Sequence, residues 1–400
     1  RELAESTDLN YVAREGSGLG IVTAGAAFNY TIEALDVLGV NASVLKLGMV
    51  HPFPSKLVAD FAAKHDAVLV VEELEPYLEL NVRAALHAHG VGTPVYGKAF
   101  VELLPRHGEL STRAVIKALC ELTGVKPPAD FAAVDERVKG ASELLPPRPP
   151  VLCPGCPHRA SFFVIKRVVG AEGICTTDIG CYALGIQPPL EVGDFLICMG
   201  ASVGAACGIS KALKKRVVAV VGDSTFFHAA IPALINAVYN RHQVTVVVLD
   251  NLTTAMTGHQ PHPGMGITGT GEPGKRVLIE EVARGCGVEH VFVVDPFDLK
   301  EATKVFKEAV SVDGPSVVVF RQVCRLLAVR EARRKGVELP KYEVTEDCTR
   351  CGVCVKAFGC PAFYVAEDGS IHIDEELCTG CGVCSQVCPY GAIREVGSRA

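Results

Sequence analysis

The chain has 400 residues, a formal net charge of −6, 49% hydrophobic and 21% charged residues. That balance excludes disorder and suits roughly two to four packed domains; the mild acidity argues against nucleic acid as a partner. No apolar run reaches the roughly 18 residues of a membrane span, and RELAESTDLN at the start has no signal-peptide core.

The seventeen cysteines are therefore expected to be reduced or metal-bound in a cytoplasmic setting. Because the chain opens on Arg1, it is expected to be a fragment or a processed product.

In chain order, strand-like and helical runs alternate from the start: Ile21 to Ala24, Ala26 to Leu38, Ser43 to Leu47, Pro54 to Lys64, Ala67 to Glu72, Leu78 to His89. Such alternation predicts a parallel sheet with flanking helices. The proline-rich junction Pro146 to Pro150 then sets the first boundary. Beyond it, strands are expected at Phe195 to Met199, Val217 to Val221, Val244 to Asp250, Val291 to Val294 and Ser316 to Phe320. Helices are expected over Ser202 to Lys214, Ala229 to Tyr239 and Asp298 to Val310. The basic run Arg330 to Lys335 reads as a solvated helix end or a docking surface. Three domains are expected, 1–145, 146–335 and a small α+β tail 336–400.

The tail carries Cys348, Cys351, Cys354, Cys360 and Cys378, Cys381, Cys384, Cys388, each set followed by proline. The second set is C-x2-C-x2-C-x3-C-P, in which the fourth thiolate serves the other of two 4Fe-4S clusters. Cys348, Cys351, Cys354 and Cys388 are thus expected on one cluster, and Cys378, Cys381, Cys384 and Cys360 on its partner. The first set departs from the pattern through a five-residue final gap, Val355 to Gly359. Zinc is the competing reading, although zinc knuckles seldom place three cysteines at tandem three-residue steps.

Gly222-Asp223-Ser224 ends one expected strand and Asp250-Asn251-Leu252-Thr253 the next. The Asp223 carboxylate, the Asn251 amide oxygen and the Thr253 carbonyl are hard ligands suited to a magnesium ion on a diphosphate, at the strand ends where open α/β sheets bind ligands. This order of glycine, aspartate and asparagine resembles that of thiamine diphosphate enzymes, in which a second glycine usually stands at Ser224. The expected cofactor contacts are Ile179, Gly180, Cys181, Tyr182, Gly222, Asp223, Ser224, Thr225, Asn251, Thr253, Ala255 and Met256. Met256 equally suits plain core filling.

CPGCPHR at 153–159, DIGCY at 178–182, GDSTFFH at 222–228, LDNLTTAMTGHQ at 249–260 and the tail cysteines together resemble the 2-oxoacid:ferredoxin oxidoreductase family, in its indolepyruvate branch. The resemblance implies a transketolase C-terminal-like α/β domain, a thiamine diphosphate-binding α/β domain and a bacterial-type ferredoxin domain with two 4Fe-4S clusters. It implies oxidative decarboxylation of aryl 2-oxoacids, with coenzyme A collecting the acyl group and single electrons passing to an external ferredoxin. It further implies a small (beta) subunit, a homo-dimer of heterodimers, and a pyrimidine-binding domain outside these residues, without which no turnover is expected. Carried over position by position, it places a third 4Fe-4S cluster on Cys153, Cys156, Cys181 and Cys324. The other reading leaves Cys324 an ordinary buried thiol and the CPGC turn a cofactor contact. His158 and His259 lie in matching motifs and are the catalytic candidates, whereas His228 and His262 read as background. Glu73 and Glu75 read as solvated strand-end carboxylates. Cys120, Cys175, Cys198, Cys207 and Cys286 read as core.

Three other functions stay open: a pyruvate or 2-oxoglutarate enzyme of the same family, a non-redox thiamine decarboxylase, and an electron carrier with a degenerate nucleotide-binding domain. No coenzyme A motif or indole-specific residue stands in the sequence.

Overall fold

The computed structural model describes residues 2–397 and divides into two compact units, Arg1–Pro147 and Arg148–Ala400. The first holds five strands, β1 (Asn10–Arg14), β2 (Leu19–Ala24), β3 (Ala42–Leu47), β4 (Ala67–Val71) and β5 (Val95–Tyr96), in the order β1-β3-β2-β4-β5. All pairs are parallel except β1 with β3. Successive side chains of a strand point to opposite faces, so β2 and β4 bury both. Ile21 and Leu69 join helices Ala27–Leu38 and Thr112–Thr123 on one face; Val22 and Val70 join Ser55–Ala62 and Tyr77–Ala88 on the other.

The second unit centres on β6 (Ile174–Thr177), β7 (Phe195–Leu196), β8 (Val217–Gly222), β9 (Val244–Asp250), β10 (His290–Val294) and β11 (Ser316–Arg321). They form a fully parallel sheet in the order β10-β11-β9-β8-β6-β7. Every residue of β8 and β9 is buried, which explains their unbroken apolar runs, since a sheet covered on both faces needs no polar alternation. Helices Pro157–Val169 and Leu299–Ser311 cover one face, Ala201–Leu213 and Ile231–Tyr239 the other.

The expected strand Phe195 to Met199 shrinks to two residues, because the chain turns at Gly200 (φ +81) to start the next helix. Helix Pro157–Val169 went unread in the sequence, hidden by the cysteines and prolines that open it. The helical run after Asp223 widens into a π turn over Phe226–Ala230, where Pro232 has no N–H to continue the regular ladder.

The cysteine tail lies within the second unit, not as a compact unit of its own. It is built from two small antiparallel pairs, β12 (Tyr342–Val344) with β15 (Ile393–Glu395) and β13 (Phe363–Val365) with β14 (Ile371–Ile373). Gln386 fastens it to the sheet domain, accepting from Leu299 N at 3.0 Å and donating to Phe297 O at 2.7 Å. No helix among the described residues is long and apolar enough to cross a membrane.

Candidate active site and cysteine cages

The carboxyl ends of β6, β8 and β9 surround a cleft lined by all twelve residues expected to contact a cofactor, together with His158, Met199, Leu249 and Thr254. At its floor the buried Asp223 accepts from Ser224 N (2.7 Å), Asn251 N (3.1 Å) and Thr253 N (3.4 Å). One carboxylate thereby orders two neighbouring strand ends. The Asn251 amide nitrogen stands 3.1 Å from His158 Nε2. Burial pushes the His158 imidazole down to about 4, so the ring is neutral and its Nε2 accepts.

His262 is not background. Its Nδ1 accepts from Gly264 N at 3.1 Å, and its Nε2 lies 3.1 Å from Asp223 Oδ2. The sequence carried little warning, because His262 reaches Asp223 only through a loop closed by Thr254 and Gln260 exchanging backbone hydrogen bonds at 3.0 and 3.3 Å. Asp223, Asp250 and His262 offer donor atoms within 4.8 Å of one another. Asp250 is nevertheless occupied by Arg321 Nε at 2.6 Å, and Arg321 in turn pairs with Glu280. His262 Nδ1 is taken by Gly264 N, and its buried Nε2, although close to Asp223, makes no hydrogen bond among the described residues. The hard oxygens of Asp223, Asn251 and Thr253 remain, a set that fits magnesium. Among the described residues neither lysine nor arginine lines this cleft, so a diphosphate there would depend on a metal for charge balance. Thr253 Oγ1, buried without a hydrogen-bond partner among the described residues, adds unused polar capacity at the same strand end.

Beneath the cleft, Asp178 is fully buried and accepts from Gly200 N and Ser202 Oγ, both at 2.9 Å, and from the Tyr182 hydroxyl. Its sequence position gave no sign of this role, although it stands within DIGCY. Burial raises its pKa above the usual carboxylate range.

A second cavity, of about 280 Å³, is lined by Cys153, Cys156, Cys181 and Cys324 and by both catalytic candidates, His158 and His259. His259 does not line the first cleft; its Nε2 lies 3.8 Å from Cys324 Sγ. His158, Cys181, Asn251, Ala255 and Met256 line both cavities. Met256 is half exposed, so it is not core filling. Burial, with neighbouring thiols, drives Cys181 up to about 11 and Cys156 up to about 12. Thiols so placed ionise readily only around a metal.

In the tail, Cys348, Cys351, Cys354 and Cys388 line one small cavity, and Cys360, Cys378, Cys381 and Cys384 another. The irregular gap is absorbed by a π turn over Cys354–Phe358 that ends at Gly359 (φ +63), so Cys360 still crosses to the other set. Pro154 and Gly155 also line the Cys360 cage, so the CPGC turn is a shared wall between two cysteine-lined cavities. Gly155 is required there: at φ +69, a Cβ would run into the Thr379 side chain.

The remaining expectations divide. Cys175 and Cys207 are buried, Cys120 and Cys286 partly so, but Cys198 is exposed, because it sits in the turn that replaced the expected strand. His228 stays on the helix surface with Nδ1 2.8 Å from Ser224 O. Glu73 accepts from Leu110 N at 3.1 Å and Glu75 is exposed. Helix Arg325–Lys335 has no buried residue.

Residues 178–320 match the family model described as "Thiamine pyrophosphate enzyme, C-terminal TPP binding domain", and residues 10–130 that of the "Indolepyruvate oxidoreductase domain". Residues 345–364 and 371–394 each match a "4Fe-4S binding domain". The chain is 46% identical over 395 residues to "Indolepyruvate oxidoreductase subunit IorA" of Archaeoglobus fulgidus, covering 98% of this chain and 62% of that protein. It is 45% identical over 414 residues to the subunit of the same name from Pyrococcus horikoshii, covering 99% and 63%. The Thermococcus kodakarensis subunit of that name is 44% identical over 410 residues, covering 98% and 63%. The chain thus spans a little under two thirds of the length of these IorA relatives. With that similarity running along nearly all of its residues, through the α/β units and the cysteine tail alike, the chain belongs to the family of the indolepyruvate oxidoreductase IorA subunits.

Proposed function

We propose that this chain is the thiamine- and cluster-bearing part of an enzyme that oxidatively decarboxylates aryl 2-oxoacids, indolepyruvate among them, to acyl-CoA. Its electrons pass through iron-sulfur clusters to an external ferredoxin. One observation carries the reading: the Asp223–Asn251 cleft shares a wall with a four-cysteine cavity, which shares a turn with the tail cages. A decarboxylase without redox chemistry has no use for that series.

Thiamine diphosphate supplies a nucleophilic carbon that releases carbon dioxide from a 2-oxoacid and leaves two electrons to be removed. Asp223, the Asn251 amide oxygen and the Thr253 carbonyl would hold magnesium. Gly180, Cys181, Tyr182, Gly222, Ser224 and Thr225 would border the diphosphate, and Ile179, Ala255 and Met256 the rings. His158 is a positioning residue: by accepting the Asn251 amide proton it turns the amide oxygen toward the metal side. His259, beside Cys324, belongs to the cysteine cavity. Cys153, Cys156, Cys181 and Cys324 would hold a 4Fe-4S cluster next to the thiamine site. Cys360, Cys378, Cys381 and Cys384 would hold the next, and Cys348, Cys351, Cys354 and Cys388 the last, each passing one electron at a time.

A small subunit, a dimer of heterodimers and a cytoplasmic location complete the proposal; the relatives are named as subunits of an oxidoreductase. The test is anaerobic decarboxylation of a panel of 2-oxoacids by this chain completed with its small subunit and a pyrimidine-binding domain. Aryl pyruvates are expected to lead, with reduced ferredoxin appearing in step with carbon dioxide. Faster turnover of pyruvate or 2-oxoglutarate would overturn the substrate class. About twelve irons per chain are expected on anaerobic purification, and about eight would remove the thiamine-proximal cluster.

A further inference from the structure

Arg159 follows the CPGC turn in sequence and is 3% exposed. A guanidinium is almost never buried this deeply unless it is paired, yet Arg159 forms no salt bridge with a carboxylate among the described residues. Its NH2 donates to Leu152 O at 2.7 Å, the residue just before Cys153. Its NH1 donates to Phe358 O at 3.1 Å, two residues before Cys360. The planar fork therefore spans from the loop of one cysteine cavity to the loop of the next. Nε, also buried, has no hydrogen-bond partner among the described residues. The ionisable groups that act on Arg159 are the thiols of Cys360, Cys156 and Cys153, one from the tail cage and two from the thiamine-side cavity. Phe358, whose carbonyl it holds, is itself buried and packs edge-on against Phe163 at 5.6 Å.

We infer that Arg159 is a fixed cation between two neighbouring iron-sulfur clusters, and that it raises the reduction potential of both, making each easier to reduce. The inference rests on the proposal that these cysteines hold 4Fe-4S clusters. Four thiolates give such a cluster net negative charge, and the arriving electron adds one more unit. A nearby cation in a poorly screened interior stabilises the reduced form more than the oxidised one. Because the charge stands between two clusters, it favours an electron on either without trapping it on one. The burial cost of the guanidinium is met by the same clusters, which explains a buried arginine without a carboxylate. Each cluster gains and loses one electron, and Arg159 is unchanged throughout.

The test compares the wild type with R159Q, which is neutral, and R159K, which keeps the charge without the planar fork. Iron content and EPR-monitored redox titration are read on the full chain. Both the Cys360-cage cluster and the thiamine-side cluster are expected to titrate at more negative potential in R159Q, while R159K stays near the wild type. Cluster signals at full iron content with unchanged potentials in R159Q, or an equal fall in R159K, would overturn the inference and leave the cluster assignment standing. Absence of cluster signals from the wild type would instead sink the assignment and the inference with it. Should R159Q assemble no cluster, R159M takes its place. Loss of clusters from both neutral variants but not from R159K would support a required charge, and loss from all three would assign the effect to the fork alone.

Discussion

The two sheets of this chain place buried polar groups at the carboxyl ends of their parallel strands, but they treat them differently. In the first unit Lys98 is 1% exposed, and its ammonium donates to Glu72 O (2.6 Å) and Leu74 O (2.8 Å). Glu72 accepts from Leu78 N and Glu79 N, and Glu79 from Lys98 N, Ala99 N and Arg83. These groups satisfy one another and leave little for a ligand. At the second sheet Thr253 Oγ1 has no partner among the described residues, and the Asp223 and Asn251 side chains converge on an open cleft that no described lysine or arginine lines. Shared topology therefore does not mark the candidate site, and neither does an unpaired hydroxyl alone, since Thr23 Oγ1 near the end of β2 is also buried without a hydrogen-bond partner among the described residues; an open cleft between strand ends does.

That contrast can be broken most sharply at Asp223. D223A is expected to weaken magnesium-dependent thiamine diphosphate binding by more than about 100-fold, since even outer-shell changes cost up to that much. Calorimetric titration of the completed enzyme reads the loss, and unchanged affinity would place the site elsewhere. K98M tests the other half. It removes two charge-assisted hydrogen bonds and is expected to destabilise the first unit by about 2 kcal/mol in urea unfolding, with thiamine diphosphate affinity untouched. If binding fell with stability, the first sheet would not be the purely structural one.

A smaller effect lies at Asp178. Its folded pKa is raised from the ordinary 3.8 mainly by burial, so the folded state holds the proton more tightly than the unfolded chain. The associated stability is fully present below 3.8 and is lost as pH climbs through the folded value. D178N should flatten that slope, even though the amide keeps only one of the two oxygens that serve three donors and so lowers stability overall. A wild-type slope persisting in D178N would assign the pH dependence to another group. The smallest effect is expected at exposed Cys198, where C198S should change stability by less than about 0.5 kcal/mol and leave iron content as it was.

Much of this was legible before any coordinates. The alternation of strand and helix runs announced parallel sheets with flanking helices, and Asp223 and Asn251 were readable as polar residues that directly follow β8 and β9, where open α/β sheets bind ligands. The crossed sharing of Cys360 and Cys388 was expected from ferredoxin spacing, and the π turn at Cys354–Phe358 takes up the two extra residues, so that Cys388 lines the cavity of the first set and Cys360 that of the second. The edge strand β1 was invisible, since only its polar Asn10 is buried and it needs no apolar pattern. Cys198 was misread because an apolar stretch that ends in a turn looks like one that continues.

Taken alone, the amino-acid order decided what repeats locally: strand and helix periods, cysteine spacing, and the residues that directly follow a strand. Contacts between segments far apart in the chain were left to the folded molecule, because loop closure is what brings them into range. His262 reaching Asp223, Cys324 joining Cys153 from the far end of the sheet domain's sequence, and Arg159 meeting the Phe358 carbonyl are of that kind. None leaves a periodic trace in sequence.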